Sequence, residues 1–122
     1  MPGASARLPS GDFWRGRRVL LTGHTGFKGA WTALWLREMG AVVTGFALAP
    51  DSSPDLFTLA DAGQGIDSRL GDLRDPDAVE RAVAVAEPDI VLHMAAQPIV
   101  RRVIADPVET IATNVLGTAH LL

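Results

Sequence analysis

The chain has 122 residues, one domain's worth and enough to enclose a core. A net charge of −3, with 20% charged residues, leaves no broad basic footprint for nucleic acid or an acidic membrane. The absence of cysteine excludes disulfides and thiolate metal ligands, and no apolar run nears the roughly 20 residues that cross a bilayer.

In chain order, Met1 to Asp12 is rich in Pro, Gly, Ser and Ala and lacks the apolar stretch of a signal peptide. It reads as a flexible tail (residues 1–12) on a cytoplasmic protein, with the folded unit over 13–122. Val19 to Leu21 is a short apolar run that stops at Thr22 and meets glycines at 23, 26 and 29. Phe27, Ala30, Trp31, Leu34 and Trp35 then recur three and four residues apart, which predicts a helix. Strand, glycine-rich turn and helix in this order make a dinucleotide-site candidate. Gly23 can turn tightly out of the strand, Gly26 can let a diphosphate approach the backbone, and Gly29 can let the helix lie close to the sheet. The first helical N–H groups and the macrodipole favour an anion there.

The spacing is G-x-x-G-x-x-G. A phosphate loop of the G-x-x-x-x-G-K-[ST] kind would need glycine at position 28, where Lys28 stands, and Lys28 is followed by Gly29. The competing reading is a strand-to-helix turn that is merely glycine-rich.

Gly40 closes the first helix, and Ala41 to Ala47 reads as a second strand, apolar nearly throughout. Leu48 to Gly65 is loop-like, with a helical turn or two possible from Asp55 to Ala62. Ile66 to Leu70 is a weak third strand ending at Gly71-Asp72-Leu73. Asp75-Pro76 opens a helix with an N-cap acid and proline at its first position. Ile90 to Ala96 is a fourth strand, and Asp106-Pro107-Val108-Glu109 repeats the cap signal for a helix running to Leu122. The fold class is therefore α/β: a Rossmann-type, doubly wound parallel sheet with expected strand order 3-2-1-4. Ligands in such sheets sit at the carboxyl ends of the strands where the order reverses. That brings Gly23–Gly29, Asp72-Leu73 and Ala95–Gln97 to one crevice.

With those segments in place the sequence resembles the extended short-chain dehydrogenase/reductase family, and within it the sugar-nucleotide 4,6-dehydratases that act on CDP-glucose. The matching pieces are Phe13-Trp14, Thr22-Gly23-His24-Thr25-Gly26-Phe27-Lys28-Gly29, Gly71-Asp72-Leu73-Arg74-Asp75, His93-Met94-Ala95-Ala96-Gln97-Pro98, Asp106-Pro107 and Thr113-Asn114-Val115-Leu116-Gly117-Thr118. The resemblance implies NAD as cofactor and a nucleotide sugar, CDP-glucose, as substrate. It implies a pyrophosphate held along Gly23, Thr25, Gly26, Phe27, Lys28 and Gly29, and adenine at Asp72 with Leu73 against the ring. The nicotinamide ribose would lie at Ala95, Ala96 and Gln97, with Thr113 reaching the cofactor, and the sugar nucleotide would lie near Gln97, Pro98 and Arg101. The full-length protein would be a homo-oligomer.

Each residue also has a plainer reading. Asp72 could satisfy the Gly71 turn, and His93 could be a hydrogen-bonded core residue. Trp31 and Trp35 could be core or interface, Arg101-Arg102 a solvated pair, and Lys28 a solvated turn residue. Two features depart from the family pattern. Ala47 or Leu48 stands where an acid should bind the ribose 2′-hydroxyl; the first acid is Asp51. The family's Tyr-x-x-x-Lys pair is absent: the chain has no tyrosine, and Lys28 is its one lysine. A six-strand sheet at about 30 residues per βαβ step needs roughly 150 residues, so the chain reads as the N-terminal portion of such a dehydratase, truncated after the fourth strand and its helix; the alternatives are the same part of another sugar-nucleotide epimerase or reductase, or a non-catalytic dinucleotide-binding module. In the family, C4 of the hexose is oxidised, the ketone acidifies C5, water leaves across C5 and C6, and hydride returns to C6; a tyrosine beside a lysine is the base.

Overall fold

The structure, a computed structural model, describes residues 11–122. Residues 1–10 of the segment read as a tail lie outside the described residues. Gly11 and Asp12, assigned to that tail, begin a one-turn helix α1 (Gly11–Trp14).

Strand β1 (Arg18–Thr22) leads into helix α2 (Phe27–Glu38) and strand β2 (Val42–Ala47). Helix α3 (Leu56–Leu59) and strand β3 (Asp67–Leu70) follow, then helix α4 (Pro76–Ala86) and strand β4 (Ile90–His93). The chain continues as helix α5 (Val100–Ala105), helix α6 (Pro107–Ile111), a π-helical turn (Ala112–Leu116) and helix α7 (Gly117–Leu121). The four strands form one parallel sheet in the order β3-β2-β1-β4, as the crossover rule requires.

The element ends follow from local chemistry. Helix α2 stops in a Schellman arrangement: Gly40, at φ +80°, gives its N–H to the Arg37 carbonyl, and Ala41 gives its own to Leu36. Helix α4 starts where the Asp75 carboxylate accepts from the amides of Asp77 and Ala78, with Pro76 at the first position. Asp106 caps α6 by accepting from the Glu109 amide.

Side chains alternate along β1, so the sheet has a core on each face. Leu20 joins Phe46, Leu73, Val79, Ala82 and Ala86 on the α4 side. Val19 and Leu21 join Ala33, Leu36 and Val43 under α2. Leu20 and Leu21 are wholly buried, so truncating either to Ala costs about 2–5 kcal/mol.

Three sequence expectations change. Of the apolar residues spaced along α2, Ala30 faces the core with Gly29, Ala33 and Leu36, while Phe27, Trp31 and Trp35 are 71%, 55% and 57% exposed, so of the two readings of the tryptophans, core or interface, the core one falls. Small residues let the helix lie close to the sheet, so its large rings turn outward. The fourth strand ends at His93, not Ala96, because pairing with β1 ends at Thr22 and the Thr22 side chain takes the next two amides. The last helix is broken into α6, the π-helical turn and α7, and Val100–Ala105 is helical where no helix is expected.

Candidate functional site

The site lies at the carboxyl ends of β1 and β4. Gly23 leaves β1 at φ +79°, and a Cβ there would lie 2.7 Å from the Ala95 nitrogen and 2.8 Å from the Met94 carbonyl carbon. No side chain can occupy that position while β4 runs alongside. At Gly29 a Cβ would run into the Gly23 carbonyl oxygen, so this glycine is what seats α2 against the turn. Gly26 is different. Its φ of −80° suits any residue, and a Cβ there would meet only the Gly23 oxygen, at 3.4 Å. The space beside Gly26 is open cleft.

Gly26 is also the N-cap of α2, and it brings no side-chain acceptor; no acid occupies the helix's first turn. The N-terminal amides of a 12-residue helix thus lack a side-chain cap beside an open cleft. An anion such as a diphosphate suits that arrangement. Phe27 and Lys28, the first two helical residues, are exposed. Thr25 ties the turn to the loop after β2 by donating its hydroxyl to the Leu48 carbonyl at 2.7 Å.

His24 turns the other way. It is fully buried, its ring lies edge-on to Phe57, and Nε2 is 2.7 Å from the Ser68 hydroxyl on β3. Nδ1 has no partner. Burial pushes the His24 pKa down to about 4, so the ring is neutral at pH 7.

Asp72, at the end of the β3 turn, accepts from the Arg74 amide at 2.9 Å and pairs with its guanidinium at 2.6 Å. The Arg74 side-chain hydrogen bonds hold its carboxyl below the usual range. The turn-satisfying reading of Asp72 therefore holds in this structure. Leu73 is 4% exposed and belongs to the core beneath α4; its carbonyl accepts from His120 Nδ1 at 2.6 Å. Its side chain packs into that core and is not on the cleft surface, so it does not stand where the resemblance puts it, against the adenine ring.

On the β4 side, the Thr22 hydroxyl accepts from the amides of Met94 at 3.0 Å and Ala95 at 3.1 Å. Ala95 is half-buried and Ala96 exposed. Gln97 is 8% exposed, and its side chain is engaged with Ile99 and the Thr110 hydroxyl. Its backbone is clamped on both sides by Asn114, whose Oδ1 accepts from the Gln97 amide at 2.7 Å and whose Nδ2 donates to the Gln97 carbonyl at 3.1 Å. Asn114 and the half-buried Thr113 sit in the π-helical turn, a widening often found at functional positions. Pro98 and Arg101 are exposed, while Arg102 pairs with Asp51 across the loop after β2 at 2.9 Å.

His93 is bonded at both nitrogens, to Thr22 and to Thr118, yet its residue surface is exposed because β4 lies at the sheet edge. It is a hydrogen-bonded residue but not a buried one. Sequence reasoning missed Asn114 and Thr118 as individual contributors, since nothing in their spacing signals which backbone groups they reach. No group of metal-ligating side chains occurs among the described residues. No helix among them is long and apolar enough to cross a membrane.

A parallel sheet of this order, with a glycine turn and an uncapped helix N-terminus at its first strand, defines a Rossmann-type nucleotide-binding fold. The chain belongs to the GDP-mannose 4,6-dehydratase family, whose pattern matches residues 20–122. It is 50% identical over 111 residues to a CDP-glucose 4,6-dehydratase of Salmonella typhimurium, covering 91% of this chain and 31% of the relative. It is 34% identical over 112 residues to UDP-glucose 4-epimerase 3 of Oryza sativa, covering 87% and 30%. Among solved structures, UDP-glucose 4-epimerase from Brucella ovis in complex with NAD superposes with TM-score 0.70 at 27% identity, covering 87% of this chain and 31% of that one. The chain spans about a third of the length of these relatives.

Proposed function

We propose that this chain is the NAD-binding portion of a nucleotide-sugar 4,6-dehydratase that converts CDP-glucose to CDP-4-keto-6-deoxyglucose. The observation that carries it is the open space at Gly26 beside the uncapped N-terminus of α2, where the cofactor diphosphate fits. The 50% identity to a CDP-glucose 4,6-dehydratase supports the choice of sugar nucleotide. The NAD complex of a 27% identical epimerase supports the choice of cofactor, in the absence of an acid at the end of β2.

In this reading Gly23, Thr25, Gly26, Phe27, Lys28 and Gly29 form the diphosphate cradle. Asp72 faces the adenine, with Leu73 next to it in the core. Ala95, Ala96, Gln97 and Thr113 line the nicotinamide end, and Gln97, Pro98 and Arg101 border the substrate. Arg101 supplies a fork that matches phosphate oxygens. Bound here, the coenzyme supplies the hydride acceptor that makes the hexose C4 a ketone and so acidifies C5. This chain's own residues position and orient. With no tyrosine and a single exposed lysine, they hold no base for that oxidation. The whole protein acts in the cytoplasm as a homo-oligomer.

The test is incubation of the full-length protein with NAD and, separately, CDP-glucose, GDP-mannose and UDP-glucose. Loss of one water from CDP-glucose by mass spectrometry is expected. Interconversion of C4 epimers without water loss would replace this reading with that of an epimerase, the activity named for the Oryza sativa relative.

A further inference from the structure

The hydrogen-bond geometry around His93 fixes where its proton lies. The Thr22 hydroxyl accepts from two amides, Met94 and Ala95, and that fills both its lone pairs. Its own hydrogen must then be donated, and His93 Nδ1 lies 2.6 Å away. Nδ1 is therefore an acceptor. On the far side, the Thr118 hydroxyl donates to the Asn114 carbonyl at 2.7 Å, so it is free to accept from His93 Nε2 at 2.9 Å. The ring is the neutral Nε2–H tautomer, and all the donors point one way, from β1 through His93 to α7. Desolvation keeps the pKa of His93 below its ordinary value, in the direction this arrangement requires.

The two ends of this row matter to the site. Thr22 holds the amides with which β4 turns into Ala95–Gln97. Thr118 lies one turn beyond the π-helical segment that carries Thr113 and Asn114, and Asn114 in turn clamps Gln97. Other imaginable roles for His93 are weaker. A general base needs a free lone pair, and Nδ1 is already taken.

We propose that His93, as the neutral Nε2–H tautomer, is a positioning residue that locks the Ala95–Gln97 turn and the π-helical turn into one hydrogen-bonded unit at the nicotinamide end of the cleft. This rests on the dehydratase reading above. It adds a residue that touches neither cofactor nor substrate.

Three variants of the full-length protein test it. His93→Phe removes both bonds and is expected to lower kcat about tenfold to a hundredfold, as small displacements of a reacting pair do, with KM for CDP-glucose changed less than about threefold. His93→Asn keeps an acceptor on the Thr22 side and is expected to recover a large part of kcat. Thr118→Val removes the hydroxyl that accepts from Nε2, together with its bond to the Asn114 carbonyl, while keeping both bonds of the Thr22 side, and is expected to lower kcat in the same sense. Nitrogen-15 NMR of labelled histidine in the unmodified protein gives a readout independent of turnover: a protonated Nε2 and a bare, hydrogen-bonded Nδ1. Unchanged kcat in His93→Phe or Thr118→Val, or the opposite tautomer, overturns the proposal. Absence of turnover in the unmodified protein counts against the dehydratase reading, and the tautomer measurement still decides on His93.

Discussion

Gly45 on β2 leaves the space that the His24 ring fills: a Cβ on Gly45 would lie 2.5 Å from His24 Cγ and 2.6 Å from Nδ1. The glycine turn is thus fixed from two directions. Above, it opens to the cleft at Gly26; below, its histidine is sunk against the sheet and held by Ser68. One missing methyl on a neighbouring strand allows the second.

Replacing Gly45 with Ala should therefore destabilise the protein by about 1–3 kcal/mol, the usual cost of overpacking a tight site. The added atom meets a ring buried on all sides rather than a mobile side-chain end. Chemical denaturation of the full-length protein measures it, and Gly45→Ala with His24→Ala should lose less than the sum of the two single changes, since the clash requires the ring.

His24 also makes stability depend on pH. Its folded pKa of about 4 lies below the ordinary 6.5, so the unfolded chain binds the proton more readily. Its contribution is complete above about pH 6.5 and is lost as the pH falls toward 4, amounting to about 3 kcal/mol at most. In denaturation measured from pH 7.5 to 4.5, His24→Gln should show a flatter dependence than the unmodified protein. Parallel curves would place the acid sensitivity elsewhere.

The glycines of the turn should separate into two kinds. Gly26→Val leaves the fold intact, because the position has ordinary dihedral angles and only one neighbouring atom near a Cβ. It should abolish NAD binding in calorimetry, with the unfolding midpoint lowered only by the modest preference of an N-cap for glycine over valine. Gly29→Ala should instead lower the unfolding midpoint, since its Cβ would strike the Gly23 carbonyl. Equal NAD affinity in Gly26→Val and the unmodified protein would remove the diphosphate from this cleft.

How far these features were legible in the sequence follows from their physical range. The turn at Gly23 to Gly29, the caps at Asp75 and Asp106 and the strand order depend on local propensity and crossover handedness, and these are written in neighbouring residues. The sequence leaves Trp31 and Trp35 open between core and interface, because an apolar stripe shows which residues are alike, not which lie nearest the sheet. Ala30 and Ala33 win that place by size, and Trp31 and Trp35 face outward. The Thr22–His93–Thr118 row and the Asn114 clamp join residues up to 71 positions apart. Only packing shows which hydroxyl meets which ring.

The chain by itself should neither consume CDP-glucose nor reduce NAD. Oxidation at C4 needs a base for the hydroxyl proton, commonly a residue with a pKa tuned toward neutrality. This sequence has no tyrosine, its one lysine is exposed at the start of α2, and His93 has its lone pair committed to Thr22. His24 Nδ1 is bare but sealed from solvent in the core. The chain's outer strand β4 also leaves Val91 45% exposed beside an unpaired edge, with Met94 just past its end 44% exposed, which predicts concentration-dependent association of the isolated polypeptide. Mass spectrometry of the sugar nucleotide and absorbance of the reduced coenzyme, read with the isolated 122-residue chain and the full-length protein side by side, test the first point. Light scattering over a concentration series tests the second. Turnover by the isolated chain would place a working base among its own residues.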